Sequence, residues 1–130
     1  MTGISDINIL LKSMSPKLRE GEYIFAMVQN GQVKDLKPMM VFEEEEGTTA
    51  VIAKTEADQH KISYDASWKL ITLTIHSDLQ AVGLLAAVCG KLADAGISVN
   101  TVSAFYHDHL FILPEKAEEA MELLAELSKP

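Results

Sequence analysis

The 130-residue sequence predicts an α+β fold, an antiparallel sheet covered by helices, and three stretches carry that expectation. Ile71, Leu73 and Ile75 alternate with Thr72, Thr74 and His76, the period-two pattern of a strand with two different faces. The stretch from Ala81 to Ala95 is rich in Ala, Leu and Val and closes at Gly96, which suits a helix with a left-handed stop. Behind Pro114, the residues Ala117, Ala120, Met121, Leu124 and Leu127 recur at helical spacing. Glu115, Glu118, Glu122 and Glu126 point elsewhere, so this helix is amphipathic and lies on a sheet.

The elements follow in order. A short helix is expected from Ile4 to Lys12, ended by Pro16 through its restriction of the preceding residue. Strands follow at Tyr23 to Val28, Met39 to Glu43 and, after a Glu-rich turn ending in Gly47, Thr48 to Ala53. Thr55 with Asp58 resembles a cap for a short helix reaching about His60. The stretch from Gln29 to Pro38, with its Asn30-Gly31 step, is too short and turn-rich for a long helix.

The second half opens with the strand from Trp68 and its long helix. Ile97 to Val102 reads as a β-branched strand, Tyr106-His107-Asp108 as a tight connection, and His109 to Leu113 as the antiparallel partner. Pro114 then starts the last helix, with acids near the positive end of its dipole. The halves divide at 1–64 and 65–130: a βαββα unit preceded by a degenerate αβββα copy, whose missing helix is replaced by the N-terminal one. Because the Ala81 to Ala95 helix is apolar around most of its circumference, it should pack on the sheet and also against a second helix or another subunit.

Composition narrows the function classes. At 48% hydrophobic and 23% charged residues the chain matches ordinary globular proteins. It carries 11 basic and 19 acidic residues, a formal charge of -8, with acids clustered at Glu43 to Glu46 and from Glu115 to Glu126. That sign opposes binding to nucleic acid and to anionic membrane surfaces. The single cysteine, Cys89, allows no intrachain disulfide and no cysteine-based zinc site, and fits a reducing compartment. Ile7 to Leu11 is shorter than a signal-peptide core and follows Asp6 rather than a basic region. No apolar run approaches the roughly 18 residues of a membrane span. The expected location is cytoplasmic.

Three groups of residues carry a family resemblance. They are Ile75-His76-Ser77-Asp78, Gly83-Leu84-Leu85-Ala86, and Leu92-Ala93-Asp94-Ala95-Gly96-Ile97-Ser98-Val99. A strand running into an Asp-containing turn, a Gly-Leu-Leu helix start and a helix closing at a Gly-Ile step resemble the ACT domain, a small-molecule-binding regulatory module. Val102 to Leu110, a Ser-aromatic stretch with an acidic residue between two hairpin strands, is similar to tandem-ACT proteins. The resemblance implies a ferredoxin-like βαββα ACT module in the C-terminal half, packed with a degenerate ACT-like αβββα N-terminal half. It also implies a small-molecule effector, an amino acid by preference, and a homodimer, since such modules often join sheets side by side. The chain departs from the family at Leu79 to Val82, where the usual Pro before the helix Gly is absent and the turn is longer.

The best candidate site is the turn from Ser77 to Leu84, since backbone N–H groups at a helix start can hold a carboxylate. The resemblance places His76, Ser77, Asp78, Gly83, Ser98 and Asn100 around the ligand, with Asp78 for an amino group and Asn100 for a polar side chain. The plainer alternative is that Asp78 caps the helix and Gly83 permits close packing.

His107-Asp108-His109 offers two histidines on one strand face without a visible third metal ligand, and reads better as a turn with a solvated Asp. Cys89 lacks a sequence-near His or a thiolate-stabilising charge. The Glu43 to Glu46 run reads as a solvated hairpin tip or edge guard, and Met39 and Met40 could line an apolar pocket. No phosphate-binding loop, nucleophile elbow or His-Glu-x-x-His helix is present, and no cofactor is implied. For an enzyme, His76, Asp78 and His109 are the only set to test. The sequence therefore points to a non-catalytic amino-acid-binding regulatory protein. The alternative is an interaction module that docks on a partner enzyme without binding a small ligand.

Overall fold

The computed structural model describes residues 6–29, 31–75 and 82–129. In chain order it contains α1 (Ile7–Lys12), β1 (Pro16–Leu18), β2 (Tyr23–Val28), β3 (Met40–Glu44), β4 (Gly47–Ala53), α2 (Lys54–Gln59), β5 (Ser67–Leu73), α3 (Leu84–Asp94), β6 (Val99–Ser103), β7 (Asp108–Ile112) and α4 (Ala117–Leu127). The fold is α+β with antiparallel strand pairs and covering helices, as expected. Two compact units result: Glu20–Lys69, called here the middle unit, and Met1–Arg19 with Leu70–Pro130, the outer unit.

In the middle unit β3, β4 and β2 form an antiparallel sheet, with Trp68 at the start of β5 opposite Tyr23. Ile24, Ala26, Val28, Ala50 and Ile52 point to one face and are buried with Ala57 of α2 and Leu36. The turn joining β3 to β4 leaves Glu43, Glu44, Glu45 and Glu46 exposed, so the Glu-rich tip is solvated. The short helix α2 is present, but its expected cap is not. Ala53 occupies the cap position, and Asp58 instead pairs with Lys54 at 3.3 Å and accepts from the Tyr64 hydroxyl at 2.8 Å. Because α2 leaves β4 directly, the Lys54 N–H already donates to the Glu22 carbonyl at 2.9 Å, and the helix start needs no side-chain cap there.

In the outer unit β5 pairs with β1, and β7 lies between β5 and β6. The N-terminal helix packs in this unit. Asp6 caps it through the N–H groups of Asn8 and Ile9, and Leu10 and Met14 are fully buried with Ile71, Leu73, Leu92 and Leu124. After the helix, Ser15 turns the chain at φ 44, and Pro16 enters β1 as its first residue, where a missing N–H is tolerated.

Helix α3 buries Leu84, Val88 and Leu92, one stripe at i, i+4 and i+8. It packs against α1 and α4, and Lys91 reaches Glu126 of α4 at 2.8 Å. The second helix that its composition called for is thus supplied within the unit. Gly96 at φ 76 ends α3 as expected. Its N–H donates to Ala93 O at 2.9 Å, and Ile97 N–H donates back to Leu92 O at 2.9 Å. Strand β5 differs from the two-faced reading: Leu70, Ile71, Thr72 and Leu73 are all buried, so its polar face is not a solvent face.

Candidate functional site

His76, Ser77 and Asp78 lie outside the described residues. The described edge of the turn is Gly83, which stands before α3 at φ 100. A Cβ there would meet Ile7 Cδ1 at 3.6 Å, an ordinary contact, so backbone conformation rather than close packing is what demands glycine.

At the other side of the turn, Ile75 O accepts from His107 Nδ1 at 3.3 Å. The β6–β7 hairpin closes there, with Ala104 N–H donating to His107 O at 3.0 Å and Ser103 Oγ donating to Asp108 Oδ1 at 2.7 Å. Asp108 is 8% exposed, so the expected solvated Asp is buried and hydrogen-bonded. Phe105 and Tyr106 at the tip are each 61% exposed and meet edge to face at 5.0 Å.

Ser98 and Asn100 sit elsewhere. Val99 pairs with Ile112 and Ser103 with Asp108, so Ser98 lies at the end of β6 away from the hairpin tip and the turn, roughly 16 Å along the strand. Asn100 is opposite Phe111, on the face away from the helices, whereas Val99 packs on the helix-covered core. Of the six expected site residues, Gly83, Ser98 and Asn100 are described. Both Ser98 and Asn100 are exposed, and among the described residues β6 pairs only with β7, which leaves its outer edge open.

A polar group missed by the sequence reading lies on the sheet face of the outer unit opposite Ile71 and Leu73. Arg19, the chain's single arginine, donates from Nη1 to Thr72 Oγ1 at 3.4 Å. Thr72 Oγ1 is 3.0 Å from His109 Nδ1, and Lys17 stands opposite Thr72 in register. Burial pushes the His109 ring below the ordinary imidazole value, and neighbouring His107 and Arg19 push the same way while Asp108 opposes them. Thr72 looks like any outward position of an alternating strand, and nothing near Arg19 in sequence announces the contact.

His107 and His109 share a face, with ring centroids 6.4 Å apart. Among the described residues no group of three His, Cys, Asp or Glu side chains is placed to hold a metal ion. Cys89 is half-buried and burial pushes its thiol up, which disfavours the reactive thiolate. The middle unit has a groove of about 360 Å³ lined by Glu20, Glu22, Tyr23, Lys54 and Thr55, which the sequence reading also missed. Its acids and Lys54 are local clues, but only the pairing of β2 with β4 brings them together. Among the described residues no helix is long and apolar enough to cross a membrane.

Two family models, each described as an ACT domain, match residues 2–69 and 65–126. No curated protein matches. A Vibrio cholerae protein of unknown function, described as a possible transport protein, is 42% identical, with 98% of this chain and 100% of that one covered at a TM-score of 0.86. An Agrobacterium tumefaciens protein is 20% identical, with 87% of each chain covered and a TM-score of 0.69. The ligand-free regulatory subunit of aspartate kinase from Thermus thermophilus shares the fold at 11% identity, covering 92% of this chain and 100% of that one with a TM-score of 0.69.

Proposed function

We propose that this chain, which belongs to the ACT-domain family and carries two such modules in tandem, is a non-catalytic cytoplasmic regulator that binds a small molecule, with an amino acid as the ligand class. The observation that carries the reading is the pair of ACT matches spanning the chain. The turn at 77–84 is the ligand's seat. The α3 start offers N–H groups to a carboxylate, and Asp78 offers a partner for an amino group.

Ser98 and Asn100 join that seat from a second copy. The outer edge of β6 is open, and antiparallel pairing of two such edges would bring the 98–100 end of one copy beside the 103 end of the other. His76, Ser77, Asp78 and Gly83 of one copy would then meet Ser98 and Asn100 of its partner, which makes the site a property of the homodimer.

A thermal-shift screen of the full chain against the twenty amino acids and related metabolites tests the reading. A ligand at 100 times its Kd should add about 2.7 kcal/mol. Asp78→Ala should abolish that gain, and Asn100→Ala should reduce it only in the dimer. No stabilising compound in the set would refute the amino-acid reading. A second reading, docking on a partner protein without a small ligand, is favoured by Met27 and Phe42, 57% and 63% exposed and both opposite Thr49 on one row of the middle sheet. Under that reading Phe42→Ser would weaken the partner complex and leave every thermal shift unchanged.

A further inference from the structure

Among the described residues, the sheet face of the outer unit that carries Thr72 holds a set of hydrogen-bond donors with no acid in ion-pair range. Arg19 is half-buried, and its one resolved partner is the Thr72 hydroxyl. Among the described residues, neither Arg19 nor Lys17 has a carboxylate within ion-pair distance, in a chain with 19 acidic residues. Thr72 is 5% exposed, and Leu70 and Phe111 on the same face are buried. A guanidinium beside such surfaces loses part of its hydration and gains no counter-charge.

The hydrogen bonds sharpen this. Arg19 donates to Thr72 Oγ1, which also lies 3.0 Å from His109 Nδ1, so the hydroxyl ties the guanidinium and the imidazole together. Among the described residues Thr72 Oγ1 is the one side-chain acceptor for the guanidinium's five donors, and Lys17 adds an ammonium on the same face.

We infer that Arg19, Thr72 and His109, with Lys17 at the rim, form a binding site for a small oxyanion, either the carboxylate of a metabolite or a phosphate group. The guanidinium fork binds the anion in bidentate fashion, and Thr72 fixes the fork beside His109. This site shares no residue with the 77–84 turn and does not depend on the ligand proposed there.

The test uses the full chain, acetate and inorganic phosphate as separate probes, and chloride at equal ionic strength as the control. The amide signals of Lys17, Arg19, Thr72 and His109 are followed by NMR. A saturable shift with at least one probe is expected, and the probe that saturates identifies the source, carboxylate or phosphate. Arg19→Gln should weaken binding at least about tenfold, the loss of a charge-assisted pair. His109→Gln, at a half-exposed position, gives a second arm that leaves the core intact and should weaken binding several-fold. Shifts no larger than those from chloride, or unchanged affinity in both variants, overturn the site. Asp78→Ala should leave these shifts intact, so failure of the turn as a ligand seat reads out separately.

Discussion

The two units of this tandem ACT chain reach stability by different means. The outer unit buries large aliphatic side chains from three helices, including Leu10, Leu84, Leu92 and Leu124, against Ile71, Leu73, Leu110 and Ile112. The middle unit has one six-residue helix, and three of its seven buried core residues are alanines: Ala26, Ala50 and Ala57. A sheet whose cover is thin must bring helix and strand close, and alanine allows that approach. One architecture is thus compatible with very unequal cores, and stability and change should concentrate in different units.

The strongest way to break this comparison is to remove residues 1–14. Leu10 and Met14 go with them, each worth about 2–5 kcal/mol by large-to-small analogy. Hydrogen exchange should then show α3, β6 and β7 losing protection while β2 and β4 keep theirs. The reverse pattern would return the N-terminal helix to the middle unit.

Next in size, Leu92→Ala should cost about 3 kcal/mol and Ile52→Val about 1 kcal/mol in denaturant unfolding. Equal costs would mean that the cores are not unequal in the way described. Gly96→Ala, forced to hold φ 76 without the freedom of glycine, should cost about 1 kcal/mol and loosen the C-terminal end of α3.

The smallest effect is the pH dependence, which separates the units by range. His109 has its folded value below the ordinary 6.5, so the unfolded chain binds the proton more readily. Outer-unit stability should therefore decline as pH falls below about 6.5, and His109→Gln should flatten that decline. Asp58 is lowered from 3.8 by the Tyr64 hydroxyl and by Lys54. Its contribution in the middle unit is present above that value and is lost only on further acidification, a step that Asp58→Asn should remove. Exchange-detected unfolding across pH distinguishes the two.

Local patterns in the sequence made the β6–β7 hairpin, the Gly96 stop and the amphipathic α4 legible, because each is decided by residues close in sequence. The home of α1 was not legible. Ile7, Leu10 and Leu11 state that a helix has an apolar face but not which sheet receives it. Strand β1 was missed because three residues beginning with a proline give no period to read. Thr72 and Asp108 were read as solvent-facing, since alternation marks a polar side chain as outward even where both faces of a strand are covered. At the candidate site, residue type picked out the turn and the start of β6, while the contact of Arg19 with Thr72 and His109 exists only through strand pairing that no local pattern announces.

The outer strands of the two units carry different chemistry along their free edges. Strand β3 ends in Glu43 and Glu44 and runs into Glu45 and Glu46, all exposed, so two copies meeting there would oppose rows of like charge. Strand β6 reads Val99, Asn100, Thr101, Val102, Ser103, with no charge at all. Among the described residues, the free edge of β6 is thus uncharged and that of β3 is strongly acidic. A second copy meeting this chain edge to edge would therefore be steered to β6 rather than to β3.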